Sequence, residues 1–245
     1  MPFIITFLAG CSTMIGYLFI YLKKDSNKVL VSSLAFASGV MFLISVSDLI
    51  PSSYTNISQI YYVIPAILIV SLFVVIGVIL SMLIDKYLPD NSYQDYKLYR
   101  VGMISMLAII FHNIPEGIAT FLTSNYDIKL GITLAISLAL HNIPEGISVA
   151  VPIYYSTKSK LRAFIYTFIS GMSEFLGAII ASIFLSRFSN DLFMGCLYAL
   201  IAGIMMHISL YELLPSSFKY KKPFITILFF LIGIIFMLVS SMLLH

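Results

Sequence analysis

The heptapeptide HNIPEGI occupies residues 112–118 and recurs unchanged at residues 141–147. Each copy lies within a long apolar stretch, so an imidazole, an amide and a carboxylate stand in largely apolar surroundings. The histidine and the glutamate are four residues apart, nearly one helical turn, and therefore project from the same helix face. The proline lacks a backbone N–H, which predicts a break in each helix and a freed carbonyl oxygen near these side chains.

The composition of the chain places both motifs in a membrane. Of its 245 residues, 60% are hydrophobic and 10% are charged, and the mean hydropathy is +1.01. A soluble domain carries about 25% charged residues, so the composition excludes a soluble enzyme and a nucleic-acid-binding protein. We predict an all-α integral membrane protein whose single transmembrane domain covers residues 1–245. Its eight predicted spans, each near the ~20 residues that cross a bilayer, are residues 2–22, 29–50, 61–84, 101–122, 130–153, 163–187, 192–214 and 223–244.

The basic residues predict the orientation of these spans. Twelve of the fourteen lysine and arginine residues lie in the first, third, fifth and seventh loops, and only Lys129 and Arg187 lie on the opposite side. Because cytoplasmic loops carry the excess of lysine and arginine, both termini are expected outside the cytoplasm. The expected location is the plasma (inner) membrane.

Three pairs of segments within the chain resemble each other. GVMFLISVSDLIPSS at residues 39–53 aligns with GIMMHISLYELLPSS at 203–217, and FLAGCSTMIG at 7–16 aligns with FISGMSEFLG at 168–177. The two HNIPEGI copies form the third pair. In the predicted topology the members of every pair run in opposite directions across the membrane. This predicts an inverted 3+2+3 repeat, an arrangement typical of transporters that open to each side in turn.

Acidic and histidine side chains lie inside the predicted spans, whereas no lysine or arginine falls in the middle of one. An acid at a helix centre costs about 3 kcal/mol on insertion scales, so protons or a bound cation must neutralise these groups. Imidazole, amide and carboxylate ligands without thiolates suit a borderline divalent ion such as Zn²⁺ or Fe²⁺. The acids and histidines within the spans are Asp48, His112, Glu116, His141, Glu145, Glu174, His207 and Glu212.

These features together resemble the ZIP (Zrt/Irt-like) family of divalent-metal transporters. The similarity rests on the doubled HNIPEG motif in consecutive spans, the eight predicted spans with external termini, and the acidic sixth span. The short third loop with few histidines is most similar to the compact bacterial members. The resemblance implies a two-metal centre at mid-membrane, formed by the fourth and fifth spans.

The resemblance also implies which residues bind the two ions. The first position would comprise His112, Glu116, His141 and Glu145. The second position would comprise Asn113, Asn142 and Glu174, with Glu116 or Glu145 bridging the two ions. Family members commonly carry Gln-Asp in the second motif where this chain has His-Asn, so the second position is less acidic here.

We therefore predict a transporter that moves a divalent metal ion into the cytoplasm. Zinc is the favoured cargo, with iron, manganese and cadmium as alternatives, and no prosthetic group is expected. The expected partners are the metal ions and the lipid bilayer but no nucleic acid, and a homodimer stays open. A membrane-embedded metalloenzyme such as an intramembrane protease is one alternative, although the chain lacks the HExxH motif of such enzymes. A metal channel is the other alternative.

Two further acids are predicted to lie at the mouths of the pathway. Asp48 lies three residues before Pro51 at the outer end of the second span, and Glu212 lies three residues before Pro215 at the inner end of the seventh. Negative charge at a mouth concentrates cations. We expect Asp48 to capture metal from outside, and Glu212, with His207 deeper in the span, to receive it on the cytoplasmic side. The alternative is that these residues only pack or cap helix ends.

Overall fold

The computed structural model describes residues 1–22, 26–87, 96–184 and 191–244, and the regular structure of these ranges is entirely helical. The helices are α1 (Pro2–Tyr17, followed by a 3₁₀ turn at Leu18–Tyr21), α2 (Ser26–Ile44), α3 (Ile50–Ser58), α4 (Val63–Tyr87), α5 (Tyr96–Tyr126), α6 (Ile128–Thr157), α7 (Lys160–Phe184), α8 (Asp191–His207), α9 (Leu214–Phe218) and α10 (Pro223–Leu244). Two π-helical segments, Ser45–Leu49 and Ile208–Leu213, connect α2 to α3 and α8 to α9.

Eight helical stretches in the described ranges are long and apolar enough to cross a membrane, which confirms the predicted number. Several of them are longer than predicted. The fourth and fifth spans cover Tyr96–Tyr126 and Ile128–Thr157, so almost none of the predicted loop between them is left. The orientation prediction rests partly on Lys23, Lys24 and Arg187, which lie outside the described residues.

The helices α5 and α6 continue through the prolines of both motifs. The predicted break in each helix is therefore wrong. A proline within a membrane helix removes one hydrogen bond, and neighbouring helices can satisfy the carbonyl group that it frees. Because α5 and α6 stay intact at Pro115 and Pro144, the histidine and glutamate of each motif keep their common helix face.

The second and seventh spans also extend beyond their predicted ends. Each passes through its π-helical segment into α3 or α9, and Pro51 and Pro215 lie in the first turn of these short helices. The helix is continuous up to both prolines, because the residues before them have right-handed helical backbone angles. The acids Asp48 and Glu212 lie in the π-helical segments, which are frequent at functional sites.

The spans pack as two groups joined mainly between α2 and α6. Helices α1, α5, α6 and α7 form one group, and α2, α4, α8 and α10 form the other, with α3 against α8 and α9 against α2. Helices α4 and α10 expose apolar side chains along their length, as expected of lipid-facing spans. The polar motifs of α5 and α6 are buried in the first group, because α1 and α7 pack against both helices.

Close helix contacts recur at positions that the repeat alignment matches. Gly39 of α2 lies against the carbonyl oxygen of Phe230 in α10, and Gly203 of α8 lies against that of Val74 in α4. A Cβ atom added to either glycine would come within 2.1 Å of that oxygen. The equivalence of these contacts supports the hypothesis of an internal repeat.

Candidate metal centre

A carboxylate between two imidazoles forms the centre of the α5–α6 interface. The Oε1 atom of Glu116 lies 2.9 Å from Nε2 of His112 and 3.1 Å from Nε2 of His141. All three residues are buried, and one ligand atom from each lies within 4.8 Å of the other two. The same face of α5 thus supplies an imidazole and a carboxylate, while α6 supplies the second imidazole.

Glu145 completes this cluster from α6. Its Oε1 atom lies 3.4 Å from Nε2 of His112, and the residue is fully buried. Neither of its oxygens, nor Oε2 of Glu116, has a hydrogen-bond partner among the described residues. Because buried carboxylates without partners are costly, this arrangement suits a divalent cation. Two imidazole nitrogens with carboxylate oxygens are a usual ligand set for zinc.

Further buried oxygen atoms lie where α5 and α6 meet α1 and α7. Asn142 donates Nδ2–H to Oε2 of Glu174 at 2.8 Å and to the carbonyl oxygen of Ala9 at 3.1 Å. Asn113 donates Nδ2–H to the carbonyl oxygen of Ser170 at 3.0 Å. Within the described chain, Oε1 of Glu174 and both amide Oδ1 atoms have no hydrogen-bond partner. These three oxygens are therefore available as cation ligands.

The glycine after each motif glutamate explains how α1 and α7 approach so closely. A Cβ atom on Gly117 would lie 1.8 Å from the carbonyl oxygen of Glu174, and one on Gly146 would lie 2.0 Å from that of Thr13. Any larger residue would force the helices apart. The Glu-Gly pair of each motif thus supplies a candidate ligand and also the space for the neighbouring helix.

A cavity of about 500 Å³ leads to the first group of ligands. Glu116 and His141 lie in its wall, and so does Asp48 of the π-helical segment after α2. The remaining polar lining residues, which sequence reasoning did not identify, are Ser52, Thr123, Thr133, Ser137 and Tyr198. The spacing of Thr133, Ser137 and His141 on α6 was a usable signal, because residues four apart share a helix face.

The structure does not bring His207 into the cluster of His112, Glu116 and His141. Its Nδ1 atom lies 2.9 Å from Oγ of Ser81 in α4, and its ring stacks on Tyr211 with a centroid separation of 5.3 Å. Glu212 is half-buried in the π-helical segment that follows. Among the predicted pathway residues, Asp48 therefore shares a cavity with the ligand cluster, and His207 contacts the α4 side of the fold.

Comparison with known proteins agrees with this geometry. The family model described as ZIP Zinc transporter matches residues 89–241, which include both motifs. The chain is 40% identical to the zinc transporter ZupT of Streptococcus mutans, over 98% of this chain and 96% of that protein. It is 38% identical to ZupT of Clostridium perfringens, covering 99% and 95% of the two chains, and 37% identical to ZupT of Oceanobacillus iheyensis, covering 100% and 98%.

This similarity extends over nearly the whole chain. It agrees with the buried His/Glu cluster and with the eight helices that are long enough to span a membrane in the described residues. ZIP proteins are transporters rather than enzymes, which removes the alternative of an intramembrane metalloenzyme. The chain belongs to the ZIP family of divalent-metal transporters.

Proposed function

We propose that the chain carries zinc across the plasma (inner) membrane into the cytoplasm through a two-metal centre. His112, Glu116, His141 and Glu145 form the first position. Asn113, Asn142 and Glu174 form the second, with Glu116 or Glu145 bridging the two ions. Zinc as the cargo is supported by the relatives, which are named as zinc transporters. Iron, manganese and cadmium are the competing cargoes.

One observation carries this proposal: two imidazoles and a carboxylate converge where a cavity ends. The Nε2 atoms of His112 and His141 lie 2.9 and 3.1 Å from the same oxygen atom of Glu116. A divalent ion at this point would replace the contacts between these side chains with metal–ligand bonds. It would also neutralise the carboxylates of Glu116 and Glu145, whose remaining oxygens have no hydrogen-bond partner in the described residues.

The cavity supplies a route by which a hydrated ion reaches that point. Asp48 attracts the cation at the cavity wall. Hydroxyl groups of Ser52, Thr133 and Ser137 line the same space and can hydrogen-bond to the water molecules of the ion. Dehydration then occurs at Glu116 and His141, where the imidazole and carboxylate ligands replace water. Release occurs on the opposite side, where Glu212 receives the ion, with His207 deeper in the same span.

The proposed topology gives this route a direction. The basic loops face the cytoplasm and both termini face away from it, so Asp48 lies on the external side. Residues 1–245 form one transmembrane domain with an inverted 3+2+3 repeat, which the matched glycine contacts of α2 and α8 support. All ligands of the first position come from one chain, and a homodimer stays open.

Metal uptake into proteoliposomes tests the proposal. We expect the purified chain to produce saturable Zn²⁺ uptake, reported by an internal zinc-sensitive dye, and Glu145→Ala to abolish it. Asp191→Ala is the matched control because it removes an exposed acid at the start of α8 and should leave uptake unchanged. Competition by Fe²⁺, Mn²⁺ and Cd²⁺ ranks the cargoes. Undiminished uptake by Glu145→Ala would contradict the assigned site, and flux that does not saturate would indicate a channel.

A further inference from the structure

The two motif asparagines bind their neighbouring helices in equivalent ways. Asn142 donates to the carbonyl oxygen of Ala9 in α1, and Asn113 donates to the carbonyl oxygen of Ser170 in α7. These two carbonyl groups occupy matching positions in the aligned segments 7–16 and 168–177. Each also accepts a hydroxyl from the serine three residues later, at 2.6 Å in α1 and 2.5 Å in α7. The second metal position is therefore enclosed by equivalent parts of α1 and α7.

The equivalence ends one residue after those serines, where α1 has Thr13 and α7 has Glu174. The backbones of both residues make the same contact, because their carbonyl oxygens lie against Gly146 and Gly117, respectively. Their side chains also have equivalent neighbours. A Cβ atom on Gly10 would lie 3.3 Å from Cβ of Glu174, and one on Gly171 would lie 3.2 Å from Oγ1 of Thr13. Thr13 thus takes the place of a second carboxylate.

The hydroxyl group of Thr13 is buried and has no hydrogen-bond partner among the described residues. A threonine in a helix usually donates to the carbonyl oxygen four residues earlier, as Thr6 does to Pro2 and Thr167 does to Ala163. For Thr13 that acceptor is the carbonyl oxygen of Ala9, which already accepts from Ser12 and Asn142. The Thr13 hydroxyl therefore keeps its hydrogen-bonding capacity.

The Thr13 hydroxyl lies beside Gly171. Gly171 follows Ser170, whose carbonyl oxygen accepts the hydrogen bond from Asn113. The Oδ1 atom of Asn113 is also buried without a hydrogen-bond partner in the described chain. Threonine is two atoms shorter than glutamate, so the equivalent of the Glu174 carboxylate is missing on this side. A water molecule is the natural group to fill the difference, because it can bind a cation and hydrogen-bond to a hydroxyl at once.

We propose that Thr13 is a positioning residue of the second metal position, where its hydroxyl group orients a water ligand of the bound divalent cation. Glu174 supplies a direct carboxylate ligand from α7, and Thr13 supplies this water-mediated contact from α1. The second position then has oxygen ligands on both sides but only one dedicated carboxylate. This inference rests on the proposed two-metal centre, and it adds a residue that the motifs do not contain.

Calorimetric titration of the purified full-length chain with Cd²⁺ tests the inference. We expect the wild-type chain to bind two ions in two steps, and Glu174→Gln to identify the step that belongs to the second position. Thr13→Val keeps the shape of the side chain but removes the hydroxyl. It should weaken that same step by about tenfold, as loss of outer ligand-orienting groups does, and leave the other step unchanged. Thr13→Ser should retain wild-type affinity at both steps.

The matched control is Thr6→Val, which removes an equally buried hydroxyl from the same helix and should leave both steps unchanged. Thr13→Ala provides a second removal of the Thr13 hydroxyl, with the same expected result and no risk of overpacking. Unchanged titrations for Thr13→Val and Thr13→Ala would overturn the inference, as would equal weakening of both steps. A wild-type chain that binds only one ion would instead overturn the two-metal proposal itself.

Discussion

The Asp48 end and the Glu212 end of the molecule differ although their sequences align. At the Asp48 end, a cavity of about 500 Å³ reaches Glu116 and His141. At the Glu212 end, buried apolar side chains fill the space where α2, α5, α6 and α8 meet. This apolar plug consists of Leu34, Met41, Ile104, Val151 and Met205.

The comparison shows that polar groups line the cavity between the candidate ligand cluster and one end, whereas buried apolar side chains pack on the other side of the cluster. The cavity wall contains hydroxyls such as those of Thr123 and Ser137, which can replace part of the hydration shell of an ion. The five side chains of the apolar plug offer no such groups, so a hydrated cation that met them could not pass without a rearrangement. This asymmetry favours a carrier that opens to its two sides in turn over a channel with a continuous pore.

The largest expected effect is a difference in chemical accessibility between the two regions. In a chain with Cys11→Ala and Cys196→Ala, which leaves no native thiol, we expect Ser137→Cys to react with a charged thiol reagent. Ile104→Cys should not react, because this side chain is 2% exposed within the apolar plug. Mass spectrometry of the labelled chain measures both outcomes.

Zinc provides the control for this experiment. Saturating Zn²⁺ should slow the labelling of Ser137→Cys, because the ion occupies the end of the cavity that lies one helical turn away at His141. Equal labelling of Ser137→Cys and Ile104→Cys in the absence of zinc would refute the difference between the two ends.

A smaller effect is expected when the acid at each end is neutralised. In right-side-out vesicles, Asp48→Asn should raise the KM for external Zn²⁺ by about threefold to tenfold, because it removes charge that concentrates the cation. Glu212→Gln should mainly lower the maximal rate, because release at the other side is impaired. Initial uptake rates over a range of Zn²⁺ concentrations distinguish these outcomes. If both variants changed both parameters alike and reduced the amount of folded protein, a packing role would be favoured.

The smallest effect is expected from the close helix contacts that are equivalent in the two halves of the chain. Gly39→Ala and Gly203→Ala each insert a methyl group against a carbonyl oxygen of the neighbouring helix. Overpacking of this kind typically costs about 1–3 kcal/mol, so both variants should lower the melting temperature by similar amounts. Thermal unfolding of the detergent-solubilised chain measures the effect. A neutral result for one variant beside a large loss for the other would argue against equivalent packing in the two halves.

Much of this architecture could be predicted from the sequence because it depends on short-range patterns. Apolar length gave the eight spans, and the four-residue spacing of His112 and Glu116 gave their common face. The structure also brings His141 and Glu145 to this pair. These features follow from helix geometry and from the cost of isolated acids in a membrane.

Other features depend on contacts between distant helices and could not be read from local patterns. The helices α5 and α6 continue through Pro115 and Pro144 because neighbouring helices support them, whereas local reasoning predicted a break. The partner of His207, Ser81, lies on another helix, and no periodicity points to it. Tyr198 enters the cavity wall from α8 without any motif. Span ends were misjudged because the flanking polar residues, such as Lys97, do not stop a helix.

X-ray absorption at the zinc K-edge tests the central claim, that the paired motifs bind the cargo ion, most directly. The purified chain loaded with one equivalent of Zn²⁺ should show imidazole ligands at about 2.0–2.1 Å together with carboxylate oxygens. His112→Ala and His141→Ala should each remove part of the imidazole signal. A bound zinc without imidazole ligands, or a spectrum that neither substitution alters, would contradict the assignment of the first metal position.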